Sequence, residues 1–581
     1  MLCCILLLAC SGPPPSPTKP STGGTLRVAI VETGQEEYPG TPYYDPGRYT
    51  FTPLARCCLL RTLLSYNDRP TEEGGAELRP DLAEALPRIS ADGLTWTFKL
   101  KARLHYAPPL ANRVIEARDF ITAAEHVGRI RDAPYLDDVV GMAEFEKGSV
   151  STIAGMEAPD ATTLVVRLTG PAGDFGNRVA MPLLAPLPAE ALAGRDDSWY
   201  AGYLIASGPY MYEGAEDLVL SGSDSMPVWA GRAAGRVTLV RNPSWDPASD
   251  PLRPAYVDRI DALMVSDLDG AVSLIDSGEA DVLAEPAPVA AARRYLASDQ
   301  LRGRVFTQPG MRVQYMTMNL AVPPFDDLHV RRAVNLVVDR VAAADAIGRL
   351  RDSSSVVAHH VFPDGIENAL LRSYDPLGGD DRGDVEAARE EMRMSRYDSN
   401  GDGRCDTPAC AGVLAANAED ALGSLIANEL AKIGIKLVPT DADPSVAQNH
   451  VGTFLNLGWG ADYPNGGNFA GLVGKDGLGD EFLLNLSLLG ASPEQLAQWG
   501  YDVNEVPSLN DKVAACQRSV GSAAFMCWAE VDQLMTERVM AWVPLAFIDH
   551  HWIYSERVVA FSPGPESVAP ALEQIQLRPS S

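Results

Sequence analysis

Positive charge is scarce in this chain. Its 581 residues include 48 Lys and Arg against 77 Asp and Glu, giving a net charge of -29 at pH 7. A surface that acidic repels phosphate backbones, which excludes nucleic acid as a partner. Long apolar runs are missing too. None reaches the roughly 18–20 residues that cross a bilayer as a helix, so membrane contact is expected only through an anchor. Catalytic signatures are equally absent, with no Walker loop, no Gly-x-Gly-x-x-Gly and no Gly-x-Ser-x-Gly elbow. Histidines number eight. Two adjacent pairs, His359-His360 and His550-His551, would point to opposite faces of a strand and so rarely share a metal. Carboxylates abound, but no pair can be given acid and base roles without a fold. Nothing here argues for an enzyme. What remains is an ordinary globular composition, 46% hydrophobic and 22% charged, in a chain long enough for about two to four structural units.

Residues 1–10 read MLCCILLLAC and act as a processing signal, and the Pro/Ser/Thr-rich stretch 11–24 has too little apolar surface to pack, so it forms a tether. Leu7-Leu8-Ala9-Cys10 resembles a bacterial lipobox, which would make Cys10 the lipidated N-terminus. A fragment of an ordinary cleaved secretory signal is the alternative. Both export the protein. Six further cysteines follow: Cys57, Cys58, Cys405, Cys410, Cys516 and Cys527. Outside the cytosol the close pairs Cys405/Cys410 and Cys516/Cys527 are disulfide candidates, although sequence alone leaves the pairing open. A bond between adjacent Cys57 and Cys58 would be strained, so two buried thiols are the blander reading.

The periodicities are those of an α/β protein. Thr25 to Val31 has strand composition. Leu94, Trp96, Phe98 and Leu100 alternate with polar residues behind the Ala91-Asp92-Gly93 turn, and Leu164, Val166 and Leu168 predict a neighbouring strand in the same small sheet. Val330, Ala333, Val334, Val337, Val338 and Val341 fall at helical spacing behind Asp326 and Asp327. Leu422, Leu425, Ile426, Leu430 and Ile433 repeat that pattern, with Asn417 as expected cap, Gly434 as stop, and Ile435 to Val438 as the strand that follows.

One segment suggests an ion. From Asp398 to Asp406, oxygen-bearing side chains recur at every second residue, with Gly403 at the sixth loop position, as in the first half of a calcium loop. Asp398, Asn400 and Asp402 would donate side-chain oxygens, Arg404 its carbonyl, and Asp406 an oxygen directly or through water. The twelfth position is Ala409 rather than Glu, so a complete EF-hand is excluded. A polar turn braced by Cys405 and Cys410 explains the same residues, and the possible calcium would be structural.

Several motifs in order resemble one family. Arg79-Pro-Asp-Leu-Ala-Glu-Ala, then Ala91-Asp-Gly-Leu-Thr-Trp-Thr-Phe-Lys-Leu, Ala117-Arg-Asp-Phe, Ser207-Gly-Pro-Tyr, Leu239-Val-Arg-Asn-Pro, Met318-Asn-Leu with Pro324-Phe-Asp-Asp-Leu-His-Val-Arg-Arg-Ala, Ile433-Gly-Ile and Trp459-Gly-Ala-Asp-Tyr-Pro are similar to the family 5 extracellular solute-binding proteins. These are the oligopeptide, dipeptide and nickel receptors of ABC importers. The family's run after Lys101 is remodelled here to Ala102-Arg-Leu-His-Tyr-Ala-Pro-Pro, and 214–235 looks like an insertion.

The resemblance implies a two-lobed periplasmic-binding-protein-like α/β fold of the large, cluster C type, with an extra small α/β domain. Lobe one would comprise 25–66, 182–310 and 545–577, the extra domain 67–181, and lobe two 311–544, with a hinge near Met311 to Asn319 and Val543 to Phe547. It implies capture of peptides in the cleft and delivery to the membrane subunits of an ABC permease by a monomer in the cell envelope, touching the membrane only through its lipid anchor. In peptide-binding members the Asp of the Trp-x-x-Asp segment neutralises the ligand's ammonium, and it falls on Asp462, with Trp459 and Tyr463 as walls. A turn-capping Asp462 and a core Trp459 are the alternative. Tyr315, Met318 and Asn319 would line the cleft, and Asn465-Gly466-Gly467-Asn468-Phe469, replacing a more charged run, would be more mobile. A nickel chelate, oligosaccharide or other amine as ligand, a sensory receptor, and an exported calcium-dependent enzyme are the competing functions.

Overall fold

The computed structural model describes residues 22–31, 54–130, 135–192, 204–220, 232–233, 235–479, 482–562 and 570–579. Cys10, nearly all of the tether and much of the 214–235 insertion lie outside them.

Three sheets organise these residues. The first runs in the order Val282–Leu283, Thr25–Val31, Arg259–Val265, Arg236–Arg241, Tyr210–Tyr212. Thr25–Val31 is parallel to both of its neighbours. Both of its faces are covered: Leu26, Val28 and Ile30 enter one core and Ala29 the other, where Arg27 on the same face pairs with the buried Asp281. The second sheet is small, ordered Arg88–Ile89, Thr95–Lys99, Thr163–Arg167, Met156–Asp160. The expected pairing holds: Trp96 lies opposite Val166 and Phe98 opposite Leu164, beneath the helix Ala117–Ile130. Its core is continuous with that of lobe one.

The third sheet is ordered Val305–Gln308, Trp542–Ile553, Arg312–Met318, Thr453–Gly460, Val413–Ala416, Leu437–Pro439, and Ser354–Val357 also pairs with Trp542–Ile553. Both of its faces carry cores, which separates the side chains of Arg312–Met318 by parity. Val313 and Tyr315 enter one core, Met316 and Met318 the other.

This register moves the crossings between lobes. Met311 to Asn319 and Val543 to Phe547, the expected hinge, lie inside lobe two's sheet. Val305 and Ile553 instead pack into a core of lobe one, and Val305–Gln308 pairs with the end of the long C-terminal strand. The chain therefore crosses at 309–311 and again near Asp549. There Gly310 is pressed so closely on the other strand that a Cβ would sit 1.7 Å from the carbonyl oxygen of Ile548.

Two helix expectations are corrected. The 330–341 pattern is broken into Leu328–Val337, capped by Asp327, and Arg340–Arg351, capped by Asp339, so Val341 belongs to the second helix. The cap of Ala421–Ala431 is Asp420, whose carboxylate accepts from the Gly423 amide, while Asn417 takes φ +54° ahead of it. Cys405–Cys410 and Cys516–Cys527 are bonded as expected, with Cα separations of 5.8 and 5.4 Å. Cys57 and Cys58 are bonded as well, rather than forming two thiols.

Candidate functional site

The strand Thr453–Gly460 ends against Arg312–Met318, with Arg312 opposite Gly460 and Val313 opposite Trp459. Beyond it the Ala461 amide donates to the Met311 carbonyl at 2.8 Å, which carries Asp462 to the place where the chain enters lobe two. Asp462 is partly exposed. Its Oδ2 accepts from the Asn468 side-chain amide at 3.0 Å, and the same amide's oxygen accepts from the Trp459 indole N–H at 3.0 Å. Asn468 thus holds wall and acid together. Among the described residues no Lys or Arg lies within ion-pair distance of Asp462.

The segment after Asp462 is packed, contrary to the expected mobility. Gly466 meets Trp528, where a Cβ would lie 2.2 Å from the indole, and Gly467 meets the Asp174 carboxylate at 2.5 Å by the same measure. Asn465 caps this turn by accepting from the Gly467 amide at 2.9 Å. Tyr463 is buried in the core shared by lobe one and the extra domain. Its hydroxyl donates to Asp174 at 2.7 Å, and Asp174 also pairs with Arg178 at 2.8 Å. Burial, with the Asp174 charge beside it, pushes the phenol well above its usual range. The Asn465 amide donates to Asn177 at 3.1 Å across the same seam.

The three further lining residues go elsewhere. Tyr315 is fully buried and stacks on Trp542 with ring centroids 3.8 Å apart. Met318 is fully buried in the other core. Asn319 donates to the Val451 carbonyl at 3.2 Å and the Tyr501 hydroxyl at 2.9 Å, and accepts from the Ala321 amide. In this conformation Tyr315 and Met318 are 0% and Asn319 5% exposed, and the contacts of all three are made inside lobe two.

Side chains that sequence reasoning missed stand on and around the strand Arg312–Met318, and Arg312 among them is near enough to feel the Asp462 charge. Arg312 and Gln314 share a face of their strand, lying over Gly460 and Gly458. Arg351, in the last turn of its helix, donates to the Gln314 side-chain oxygen Oε1 at 3.2 Å. The Gln314 amide nitrogen is buried without a hydrogen-bond partner. Burial, reinforced by the Arg351 charge and opposed by Asp462, lowers the Arg312 pKa. His550, on the neighbouring strand, is pushed down to about 4 by burial and by the nearby His551 and Arg312, so it is neutral at pH 7. A parity count along Arg312–Met318 could have found Arg312 and Gln314; Arg351 needed the tertiary fold.

The calcium-like loop is ordered by its own backbone. Asp398 accepts from the amides of Gly401 and Gly403 at 2.7 and 2.8 Å, Asn400 from Asp402, and Asp402 from Arg404. Asp406 takes both the amide and the hydroxyl of Ser399, and the Arg404 guanidinium reaches the carbonyls of Ala431 and Lys432. Of the paired histidines, His359 meets Asp381 and His360 meets Asp532. No helix among the described residues is long and apolar enough to cross a membrane.

Comparison with known proteins agrees with this architecture. The profile of the bacterial extracellular solute-binding proteins, family 5, matches residues 77–478. The probable deoxycholate-binding periplasmic protein YgiS of Escherichia coli K12 is 24% identical over 56% of this chain and 57% of its own length. The periplasmic oligopeptide-binding protein OppA of the same strain is 23% identical over 66% of this chain and 67% of its own. The chain thus spans between about half and two thirds of the curated relatives it matches. Two solved structures overlay over almost the whole chain. The clavulanic acid biosynthesis oligopeptide binding protein 2 has a TM-score of 0.73 at 25% identity, covering 96% of both chains. The unliganded open form of the murein tripeptide binding protein MppA has 0.71 at 16%, covering 97% of this chain and 99% of its own. The two-lobed α/β architecture and a profile match across most of the sequence place this chain among the bacterial extracellular solute-binding proteins, family 5.

Proposed function

We propose that this protein captures peptides between its lobes and hands them to an ABC permease. The observation that carries this reading is Asp462. It is a partly exposed carboxylate at the edge of lobe two, fixed by Asn468 next to Trp459, with no cation of the protein's own paired to it among the described residues. A peptide ammonium enclosed by the lobes needs such a partner, because an unpaired charge taken out of water costs more than the cleft's contacts return. OppA, a relative by sequence, is named for oligopeptide binding, which supports the same cargo class. Mass spectrometry of what co-purifies identifies the cargo, and calorimetry on Asp462→Asn tests the clamp. The variant is expected to lose about 3–5 kcal/mol, a hundredfold or more in affinity. Unchanged affinity for a peptide with a free amino terminus rejects the assignment.

A second reading rests on the half-buried Arg312 and the exposed Arg351, which bring positive charge to this edge of lobe two. They suit an organic anion, and YgiS is named for one such ligand, deoxycholate. Capped peptides separate the two. Acetylating the amino terminus abolishes binding governed by Asp462, whereas amidating the carboxyl terminus abolishes binding governed by the arginines. Export and anchoring through Cys10 complete the proposal. Cys10→Ser is expected to release the protein from the membrane fraction.

A further inference from the structure

Inside lobe two, beside Phe547 of the strand Trp542–Ile553, three potential ligands converge. His360 and Glu367 come from one loop and Asp532 from the helix Ser522–Leu534. Their donor atoms all lie within 4.8 Å of one another, and all three residues are buried. His360 Nδ1 is 2.9 Å from Asp532 and 3.8 Å from Glu367 Oε1. Asp532 is already oriented, since its two oxygens accept from the amides of Val361 and Phe362 at 2.7 and 2.9 Å. The imidazole is held edge-on against Phe547, ring centroids 5.1 Å apart.

Glu367 is the anomaly. It is 0% exposed, and its carboxylate is without a hydrogen bond of good geometry, with only the Leu371 amide approaching it. An ionised carboxylate so placed faces Asp532 and Asp364, with only the His360 imidazole 3.8 Å away to offset it. A cation between Glu367, Asp532 and His360 would satisfy all three at once.

We propose that His360, Glu367 and Asp532 form a structural site for a divalent transition metal of the zinc type. One imidazole nitrogen with two carboxylates suits zinc, whereas calcium and magnesium take oxygen ligands throughout. On the other side of the ring His360 Nε2 faces Asp364 at 4.0 Å, too long for a hydrogen bond, and Asp364 is held by Arg372 at 2.8 Å. Closing that gap on metal binding would give the arrangement in which a carboxylate orients a metal-bound imidazole. Metal binding at Nδ1 needs that nitrogen's lone pair, so the proton now shared with Asp532 moves to Nε2, the ring nitrogen that faces Asp364. Full enclosure makes the ion resident rather than cargo. The loop it would pin also carries Arg372 to Glu72 of the extra domain, so the site bears on a contact between the two halves.

The test uses the full chain without an affinity tag, stripped with EDTA and then dialysed against zinc chloride. Elemental analysis is expected to find one zinc per chain beyond that retained by Glu367→Gln. Melting temperature is expected to rise by about 2–6 °C at a hundredfold excess of zinc over Kd in the parent and not in the variant. Glu367→Gln removes a buried charge and is expected to fold, so it serves as the control for zinc bound at the acidic surface. His360→Gln, if it folds, is expected to lose the ion as well. Equal zinc content and equal melting shifts in parent and Glu367→Gln would overturn the site.

Discussion

Arg61 and Arg253 are buried against carboxylates they share, Asp81 at 2.7 and 2.9 Å and Asp250 at 3.4 and 3.2 Å. Burial alone would raise the Asp81 pKa, but the charges of Arg253 and Arg61 outweigh it and hold it below the usual carboxylate range. A depressed pKa contributes stability that is present above about pH 4 and lost as acid protonates the folded state. Asp81→Asn leaves two guanidiniums underpaired, and urea melts at pH 7 are expected to show a loss of about 3–5 kcal/mol. The motif Arg79-Pro80-Asp81 is thus legible as a family marker, but its role, fastening the extra domain to lobe one, is not; that needs Arg253, 172 positions away in the chain. Glu285 has the opposite sign. Burial pushes it up to about 7 against the pull of the Val31 amide. Between pH 5 and 7 the folded state keeps a proton that the unfolded chain has released, so stability falls as pH rises. With a discount for partial exposure the change is about 1–2 kcal/mol, and Glu285→Gln is expected to flatten it.

Elements were legible where alternation or a 3.6-residue period runs unbroken. Thr25–Val31 and the Thr95–Lys99 and Thr163–Arg167 pair formed as expected because their apolar residues have one solution, a covered face. The helix after Asp327 was misread because Val338 and Val341 continue its apolar stripe by coincidence, while Asp339 accepts from the Ala342 amide and starts a second helix. Propensity cannot say which of several Asp or Asn residues caps; the backbone that presents the amide decides. Disulfides were easier, since separation limits geometry. Cys516–Cys527 fastens Asn510–Gln517 to Ser522–Leu534, the helix that carries Asp532. The loop it closes is short, so replacing both cysteines with serine is expected to cost about 2–3 kcal/mol, read as a lower denaturation midpoint. No change would mean that the packing of Trp528 and Val513 suffices to hold this helix pair.

At the scale of the molecule, the family motifs gave the two lobes and the third domain but put the hinge inside lobe two. Motif order does not reveal which strands share a sheet, and the pairing of Val305–Gln308 with the end of the long C-terminal strand became visible only in the fold. The same ignorance of register put Tyr315 in the cleft and overlooked Arg312, three residues earlier on the opposite face. The corrected crossing makes Gly310 the position on which lobe movement depends. The two crossings touch backbone to backbone, so a methyl group must separate them rather than displace a flexible side chain. Gly310→Ala is expected to cost about 1–3 kcal/mol by overpacking and to change the angle at which the lobes rest. Scattering curves of the parent and the variant, each with and without a saturating peptide, separate these effects. The parent's radius of gyration is expected to shrink when the peptide stabilises the closed state. In Gly310→Ala the unliganded radius shifts and the shrinkage is smaller, with peptide affinity lowered by the added cost of closing. A variant that melts earlier but closes to the same extent would move the pivot away from Gly310, and one identical in both respects would show that the two crossings do not meet there.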